Sequence, residues 1–388
     1  MPKKILFCAT VDYHFKAFHL PFMKWFKEQG WEVHIAAKGE IDLPYTDQKF
    51  RIPIQRSPFK LKNVKAYQQI KAIIKENDYD IIHCHTPLGG VLARLAARKA
   101  RKSGTKVLYT AHGFHFCKGA PTLNWLIYYP IEKQLAKYTD CLITINAEDY
   151  QLANHHKFKA IEVDHVHGVG VDTERFKPIT ETEKSERKKS FGYHPDDFFI
   201  FYAAEFNKNK NQQLLIRSLA LVQDYMPNAK LLLAGEGALQ ESCKQLVKQL
   251  GIEHMVVFLG FRKDIDQILP MCDIAVGSSF REGLPVNIME AMACGLPIVA
   301  SKNRGHVELV QDQVNGYLVS PHDYGQFARG LLRIYQNTDL RSQMGAASIN
   351  LMNTYSLSQI SQELSTIYTR YMLEEENETK SQYHHAHI

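Results

Sequence analysis

Two glutamates, Glu282 and Glu290, sit eight positions apart in the stretch Arg281-Glu282-Gly283-Leu284-Pro285-Val286-Asn287-Ile288-Met289-Glu290. A short apolar run, Ile274-Ala275-Val276, ends at Gly277-Ser278-Ser279 just before it, so the stretch reads as the loop leaving a strand. Pro285 suits the first position of a helix, where a missing N–H has no consequence. Ile288, Met289, Met292 and Ala293 then supply an apolar face, and Gly295 stops the helix. One carboxylate therefore lies in the loop and the other about a turn and a half inside the helix. The backbone N–H groups of Gly283 and Leu284 fall at the positive end of the helix dipole. The result is an anion site flanked by hydrogen-bond acceptors, which suits a phosphate carrying sugar hydroxyls. A plain strand–loop–helix with two solvated glutamates has the same spacing, so the surroundings decide.

Four other features fall on loops after apolar runs. His112 ends Val107-Leu108-Tyr109-Thr110-Ala111 and is followed by Gly113, a place from which a ring can touch a ligand. Lys208 and Lys210 lie between a strand end and a helix start, where cations suit a diphosphate. Gly235-Glu236-Gly237 would let backbone approach a ligand closely. Gly260-Phe261-Arg262 offers a planar surface and donors for a base. Each has a bland counterpart, respectively a structural histidine, a solvated loop and two plain turns. Two further patterns resemble metal sites and are not read as such. Asp264-Ile265-Asp266 precedes an amphipathic helix and is read as a pair of helix N-terminal acids. His83-Cys84-His85 sends both imidazoles to one face of a packed sheet.

Positioning these residues requires a regular alternation of strand and helix, and the chain supplies it. Ile5–Thr10, Val33–Ala37, Ile81–His85, Val107–His112, Cys141–Asn146 and Val163–Val166 read as strands of a first half. Phe198–Ala203, Leu231–Leu233, Val256–Leu259, Ile274–Val276 and Ile298–Ala300 read as those of a second. Apolar strands of this length separated by helices predict parallel sheets covered on both faces. The fold class is thus α/β: two Rossmann-like, doubly wound parallel-sheet domains facing each other across a cleft, with ligands at the carboxyl ends of the strands. The expected boundaries are 1–168 for an N-terminal domain, 169–189 for an interdomain connection and 190–355 for a C-terminal domain. A helix over 356–373 is expected to return to the first domain, and 374–388 to form a disordered tail.

Composition supports two cored domains. The chain has 388 residues, 45% of them hydrophobic and 23% charged, as in a globular protein. Seven cysteines are scattered singly with no C-x-x-C pair, which points to reduced thiols in a cytoplasmic protein. The apolar run at the N-terminus is too short for a signal peptide, and no stretch reaches membrane-spanning length. The net charge of +6 is unevenly spread. Residues 1–168 carry 25 bases against 15 acids, the remainder 22 against 26. Residues 48–75 hold eight bases, Lys60, Lys62 and Lys65 among them, and no acid; residues 81–131 hold seven more bases, again without an acid. Such segregation suits a polyanion or an anionic membrane surface, with a solvated face as the alternative.

The E-x7-E stretch, Lys210, Gly235-Glu236-Gly237, Gly295-Leu296-Pro297-Ile298-Val299-Ala300, Asn315-Gly316-Tyr317-Leu318-Val319 and Gly168-Val169-Gly170-Val171-Asp172 together resemble the motifs of the two-Rossmann (GT-B) retaining glycosyltransferases of family four. The similarity is greatest to the branch that builds bacterial exopolysaccharide and capsule repeat units, and covers roughly residues 1–373. The resemblance implies that Glu282 contacts the transferred sugar and Glu290 the ribose. It sets the backbone of Gly283 and Leu284 against the sugar-phosphate, Lys210 on the diphosphate, and Phe261 and Arg262 at the base. It also places His112 near the reacting carbon and the acceptor. Two departures stand out. Val11-Asp12-Tyr13-His14-Phe15-Lys16 replaces the family's glycine-rich loop after the first strand, and Glu205 stands where many members have arginine. Lys208 is our candidate for the missing cation.

The implied reaction moves a sugar from a nucleotide-sugar, a UDP-sugar in the first instance, to a polyprenyl-diphosphate-linked saccharide, with no cofactor and no metal. The expected partners are that donor, that acceptor and an anionic membrane surface, and not nucleic acid. The expected location is the cytoplasm, at the inner face of the membrane. Two other functions share the architecture: a nucleotide-sugar 2-epimerase, and a non-catalytic nucleotide-sugar-binding protein, for which Glu205 leaves room.

Overall fold

The computed structural model of the chain describes residues 2–55, 57 and 59–385, with side chains as far as residue 373. Arg56, one of the eight bases noted above, and residues 386–388 of the expected tail lie outside the described residues. The chain divides into two compact units, Met1–Val169 with Ile360–Ile388, and Gly170–Gln359.

The first unit is built on β1 (Lys4–Val11), β2 (Glu32–Lys38), β3 (Gln48–Arg51), β4 (Ile81–His85), β5 (Lys106–Ala111), β6 (Cys141–Thr144) and β7 (Glu162–His165). They lie in the order β3-β2-β1-β4-β5-β6-β7, and every pair is parallel. Ile5 through Ala9 are wholly buried, as a strand covered on both faces requires. Leu6 and Cys8 join one core cluster with Ile70 and Ile73 of the helix Lys62–Asn77 and Leu92 of the helix Pro87–Lys102. Phe7 leaves the strand on the opposite face and meets Phe26 of the helix Leu20–Glu28. The last helix, Leu357–His385, packs there as well: the Tyr368 ring lies 4.8 Å from Phe26, and its hydroxyl is 2.8 Å from His83 Nδ1.

The second unit carries β8 (Phe198–Ala203), β9 (Ala229–Ala234), β10 (Val256–Gly260), β11 (Ile274–Gly277), β12 (Ile298–Ser301) and β13 (Gly316–Val319), ordered β10-β9-β8-β11-β12-β13. In each sheet the first strand separates two halves wound in opposite directions, beside β4 in one and β11 in the other. Ligands of such sheets gather where the order reverses, at the carboxyl strand ends.

Two boundaries differ from expectation. Residues 170–189 belong to the second unit instead of forming a free connection. Val171 N–H donates to the Tyr355 carbonyl at 3.0 Å, and Lys184 and Lys188 of the helix Glu181–Ser190 reach Asp273 at 2.6 and 3.3 Å. Asp273 is buried, and a buried carboxylate holds cations close. The other difference is the tail, where the backbone continues as helix to His385. The run Glu374-Glu375-Glu376 and the following Glu378, Lys380 and Gln382 are good helix formers, so propensity extends a helix already nucleated upstream.

Candidate active site

In the second unit two loops are clasped together at the strand ends. One follows β8 and holds Glu205 to Asn211; the other follows β11 and holds Ser278 to Leu284. Phe280 N–H donates to the Asn209 carbonyl at 2.8 Å, and Asn209 Nδ2 donates to the Arg281 carbonyl at 2.9 Å. Ser278 Oγ donates to the Lys210 carbonyl at 2.6 Å, while Tyr202 OH lies 2.8 Å from Ser279 Oγ. The clasp brings Lys210 Nζ to 2.6 Å from Glu282 Oε1, both side chains largely covered. The cation and the carboxylate predicted to meet a sugar diphosphate are therefore partners of one another.

Behind that pair lies the helix Arg304–Leu309. Arg304 Nε donates to the Glu282 carbonyl at 3.0 Å. A Cβ on Gly305 would come within 2.7 Å of the Gly283 carbonyl and 2.9 Å of Glu282 Cβ, so only glycine lets the helix approach the loop so closely. Buried His306 donates from Nδ1 to the Ser301 carbonyl at 2.7 Å, and its burial pulls its pKa down, against the opposing field of Glu282. Sequence reasoning missed Arg304 and His306; the Asn303 cap, which accepts from His306 N–H, was their local signal.

The helix Val286–Ala293 starts one residue later than predicted, with Pro285 at the capping position. No side chain caps it, and among the described residues no hydrogen bond engages the N–H of Gly283 or Leu284. Those donors remain available to an anion. Glu290 projects from the same helix and is partly buried. Burial pushes its pKa up to about 7, with Arg175 pulling it down and Asp266 pushing it up. Arg175 donates to Asp266 Oδ1 at 2.9 Å. Arg262 is bidentate on Asp264, and these partners hold both aspartates below the usual carboxylate range.

Gly235 lies at the neighbouring strand ends, directly after β9. Its φ is 131°, its N–H donates to the Gly260 carbonyl at 2.7 Å, and a Cβ there would lie 2.2 Å from the Ala204 carbonyl oxygen. The ends of β8, β9 and β10 are thereby pressed together. Phe261 is 62% exposed, a free aromatic face beside that junction. Lys208 and Glu205 are both exposed in the loop after β8, and Lys208 has no ion-pair partner among the described residues.

His112 belongs to the first unit, where it directly follows β5. Its Nε2 lies 3.2 Å from His14 Nε2 and 3.4 Å from His85 Nδ1, and His14 Nε2 lies 3.1 Å from His19 Nε2. Burial lowers all four pKa values, that of His14 to about 4. His83 is not part of this chain of contacts: it is satisfied by Tyr368 OH and Thr110 Oγ1, each at 2.8 Å. A cavity of about 130 Å³ opens beside His112, lined also by Tyr109, Phe114, Tyr128 and Glu132. Lys60, Lys62 and Lys65 lie elsewhere in the same unit, exposed and without ion-pair partners among the described residues.

Two Rossmann-like parallel-sheet units are the architecture of the GT-B class. The chain belongs to the glycosyltransferases of that class: the profile described as "Glycosyl transferases group 1" matches residues 183–351, and the one described as "Glycosyl transferase 4-like" matches residues 4–146. It is 50% identical over 372 residues to a Bacillus subtilis (strain 168) protein named as glycosyltransferase EpsD, covering 96% of this chain and 98% of that one. It is 26% identical over 315 residues to the Escherichia coli UDP-Gal:alpha-D-GlcNAc-diphosphoundecaprenol alpha-1,3-galactosyltransferase, covering 79% of this chain and 80% of the relative. Among solved structures, Anabaena Alr3699/HepE in complex with UDP superposes with a TM-score of 0.75 at 21% identity, over 95% of this chain and all of that one.

Proposed function

We propose that this glycosyltransferase is a retaining enzyme that moves a sugar from a UDP-sugar to a polyprenyl-diphosphate-linked saccharide in exopolysaccharide or capsule synthesis. The observation that carries the reading is the Lys210–Glu282 pair at the mouth of an uncapped helix whose next turns bear the partly buried Glu290. The HepE complex with UDP and the lipid-linked acceptor in the Escherichia coli relative's name support the donor and acceptor classes.

In this reading the donor's diphosphate takes over Lys210 from Glu282, so that the lysine and the free N–H groups of Gly283 and Leu284 stabilise the leaving charge. Glu282, released, accepts hydroxyls of the transferred sugar. Glu290 accepts from the ribose diol, and Phe261 and Arg262 meet the base. Exposed Lys208 swings onto the diphosphate in place of the arginine that Glu205 replaces. The acceptor hydroxyl attacks the anomeric carbon on the face from which the diphosphate leaves. The carbon–oxygen bond to phosphate breaks as the new glycosidic bond forms, and the acceptor's proton passes to the departing phosphate oxygen. His112 contacts the sugar or acceptor through Nδ1, since Nε2 faces the other histidines. No metal serves the diphosphate. Lys60, Lys62 and Lys65 hold the first unit on anionic lipid. Among the described residues no helix is long and apolar enough to cross a membrane.

Incubation with labelled UDP-sugars and a membrane lipid extract tests the proposal. Label appearing in the lipid fraction with retained anomeric configuration supports it. A released epimeric sugar nucleotide, or UDP binding without turnover, would overturn it.

A further inference from the structure

One ring nitrogen from each of His14, His19, His85 and His112 falls within 4.8 Å of every other. We infer that these four imidazoles bind a divalent first-row transition cation, with zinc as the best match, at the carboxyl end of the first unit's sheet.

Three of the six nitrogen–nitrogen separations are those of a coordination shell, and all six lie within 4.8 Å. Four nitrogens placed tetrahedrally at about 2.0–2.1 Å from zinc stand about 3.3 Å apart, and the three close contacts here measure 3.1, 3.2 and 3.4 Å. Hydrogen bonding does not account for them. A ring nitrogen carries either one proton or one lone pair, so it enters one good hydrogen bond. His14 Nε2 faces two other imidazole nitrogens, and so does His112 Nε2. The run from His19 through His14 and His112 to His85 therefore holds at most two good hydrogen bonds among three contacts. A cation at the centre takes all four lone pairs at once.

The setting favours metal over protons. Burial disfavours the protonated form of all four rings, and neutral imidazole is the form that binds metal. The all-nitrogen donor set suits zinc, copper or nickel over magnesium or calcium. The ligands come from four places: the helix Tyr13–Phe18, the junction before the helix Leu20–Glu28, the last residue of β4, and the residue after β5. The ends of β1 and β4 are also tied directly, Thr10 N–H donating to Thr86 Oγ1 at 3.0 Å. A bound cation would fix the Val11-Asp12-Tyr13-His14 loop against the sheet. It would also leave His112 protonated on Nδ1, a donor aimed away from the metal; this last step rests on the ligand-facing role proposed for His112.

The test uses the full chain with His384→Gln, His385→Gln and His387→Gln, because the terminal histidines would capture metal of their own. The protein is stripped with chelator, reloaded with cobalt(II), and followed by elemental analysis and visible absorption. One cobalt per chain with the intense d–d bands of tetrahedral nitrogen coordination, displaced by zinc, is the expected result. His19→Gln should abolish the bands, and His14→Gln, at a partly buried ring, should weaken cobalt binding at least tenfold. UDP binding by the other unit and circular dichroism report whether each variant is folded. Sub-stoichiometric cobalt in the parent, or equal uptake by a folded His14→Gln variant, would overturn the inference. Because the readout is metal and not turnover, either outcome leaves the transfer reaction to its own test.

Discussion

Lys210 Nζ and Glu282 Oε1, 72 residues apart in sequence, stand 2.6 Å from each other at the start of an uncapped helix. In the proposed donor mode a diphosphate competes for that lysine, so the two side chains should have opposite effects on nucleotide binding. Lys210→Ala should weaken UDP binding by about 10- to 100-fold, the size of a charge-assisted hydrogen bond. Glu282→Ala should leave UDP affinity intact or raise it, because the lysine is freed, while turnover falls. Calorimetry beside a transfer assay checks both, and an equal loss of affinity and turnover in Glu282→Ala would remove the carboxylate from the sugar.

Glu290 makes the free protein sensitive to pH in a defined direction. Its pKa rises from 4.5 to about 7 in the folded state, chiefly through burial. Between those values the native protein holds a proton that the unfolded chain has released, so stability falls as pH rises through the window, by about 3 kcal/mol at full effect. Glu290→Gln should abolish that slope and unfold at a higher denaturant concentration above pH 7. The ribose diol needs the ionised carboxylate, so UDP affinity should rise with pH across the same window and lose that dependence in the variant. The substitution should also weaken UDP binding by about 1–3 kcal/mol. Unchanged UDP affinity in Glu290→Gln would take the residue out of the donor site.

Chelation separates the two units. Asp264 and Asp266 are committed to Arg262 and Arg175, which leaves the D-x-D pattern no carboxylate free for an ion. UDP affinity should therefore be the same in chelator as in magnesium or manganese. A loss of UDP binding on chelation, restored by either ion, would return those aspartates to the site.

What the sequence disclosed follows from which signals are local. Strand–helix alternation is a local pattern, and it located β1, β2 and β4 to β12 to within a few residues. β3 and β13 were passed over because Gln48–Arg51 has one apolar residue and Gly316–Val319 opens on glycine; each is an edge strand formed by pairing with its neighbour. The Glu282–Glu290 helix was legible for the same local reason. The Lys210–Glu282 pair itself was not, since its members come from different loops. The histidine cluster was the least visible: His14 and His112 are separated by 98 positions, and only the order β1-β4-β5 in the sheet makes them neighbours. His83-Cys84-His85 drew attention as a pair, whereas His85 alone joins the other histidines and His83 serves Tyr368.

That His83–Tyr368 contact anchors the returning helix. Tyr368→Phe keeps the ring against Phe22 and Phe26 but strands a buried histidine nitrogen, which costs about 1–3 kcal/mol. Chemical denaturation should show a lower midpoint with an unchanged slope. An unchanged midpoint would mean that His83 finds another partner.

The remaining prediction concerns where the enzyme works. An acceptor on a polyprenyl diphosphate lies in the membrane, and among the described residues the chain has no helix able to span it. For the proposed lipid-linked acceptor, docking would fall to surface side chains. Phe59 and Leu61 are 87% and 86% exposed, and they alternate with Lys60 and Lys62 just before and within the start of the helix Lys62–Asn77. Val64 and Lys65 continue the exposed face, and none of the three lysines has an acidic partner among the described residues. Bare apolar side chains between unpaired cations match the interface of an anionic bilayer, where each base near the surface contributes on the order of 1 kcal/mol. The protein should sediment with anionic vesicles and not with neutral ones, and release as salt shortens the Debye length. Reversing the charge with Lys60→Glu, Lys62→Glu and Lys65→Glu should abolish sedimentation while UDP affinity holds, because those residues lie in the unit that does not carry Lys210 and Glu290. Equal binding to neutral and anionic vesicles, or none at low salt, would show that this surface does no more than keep the protein soluble.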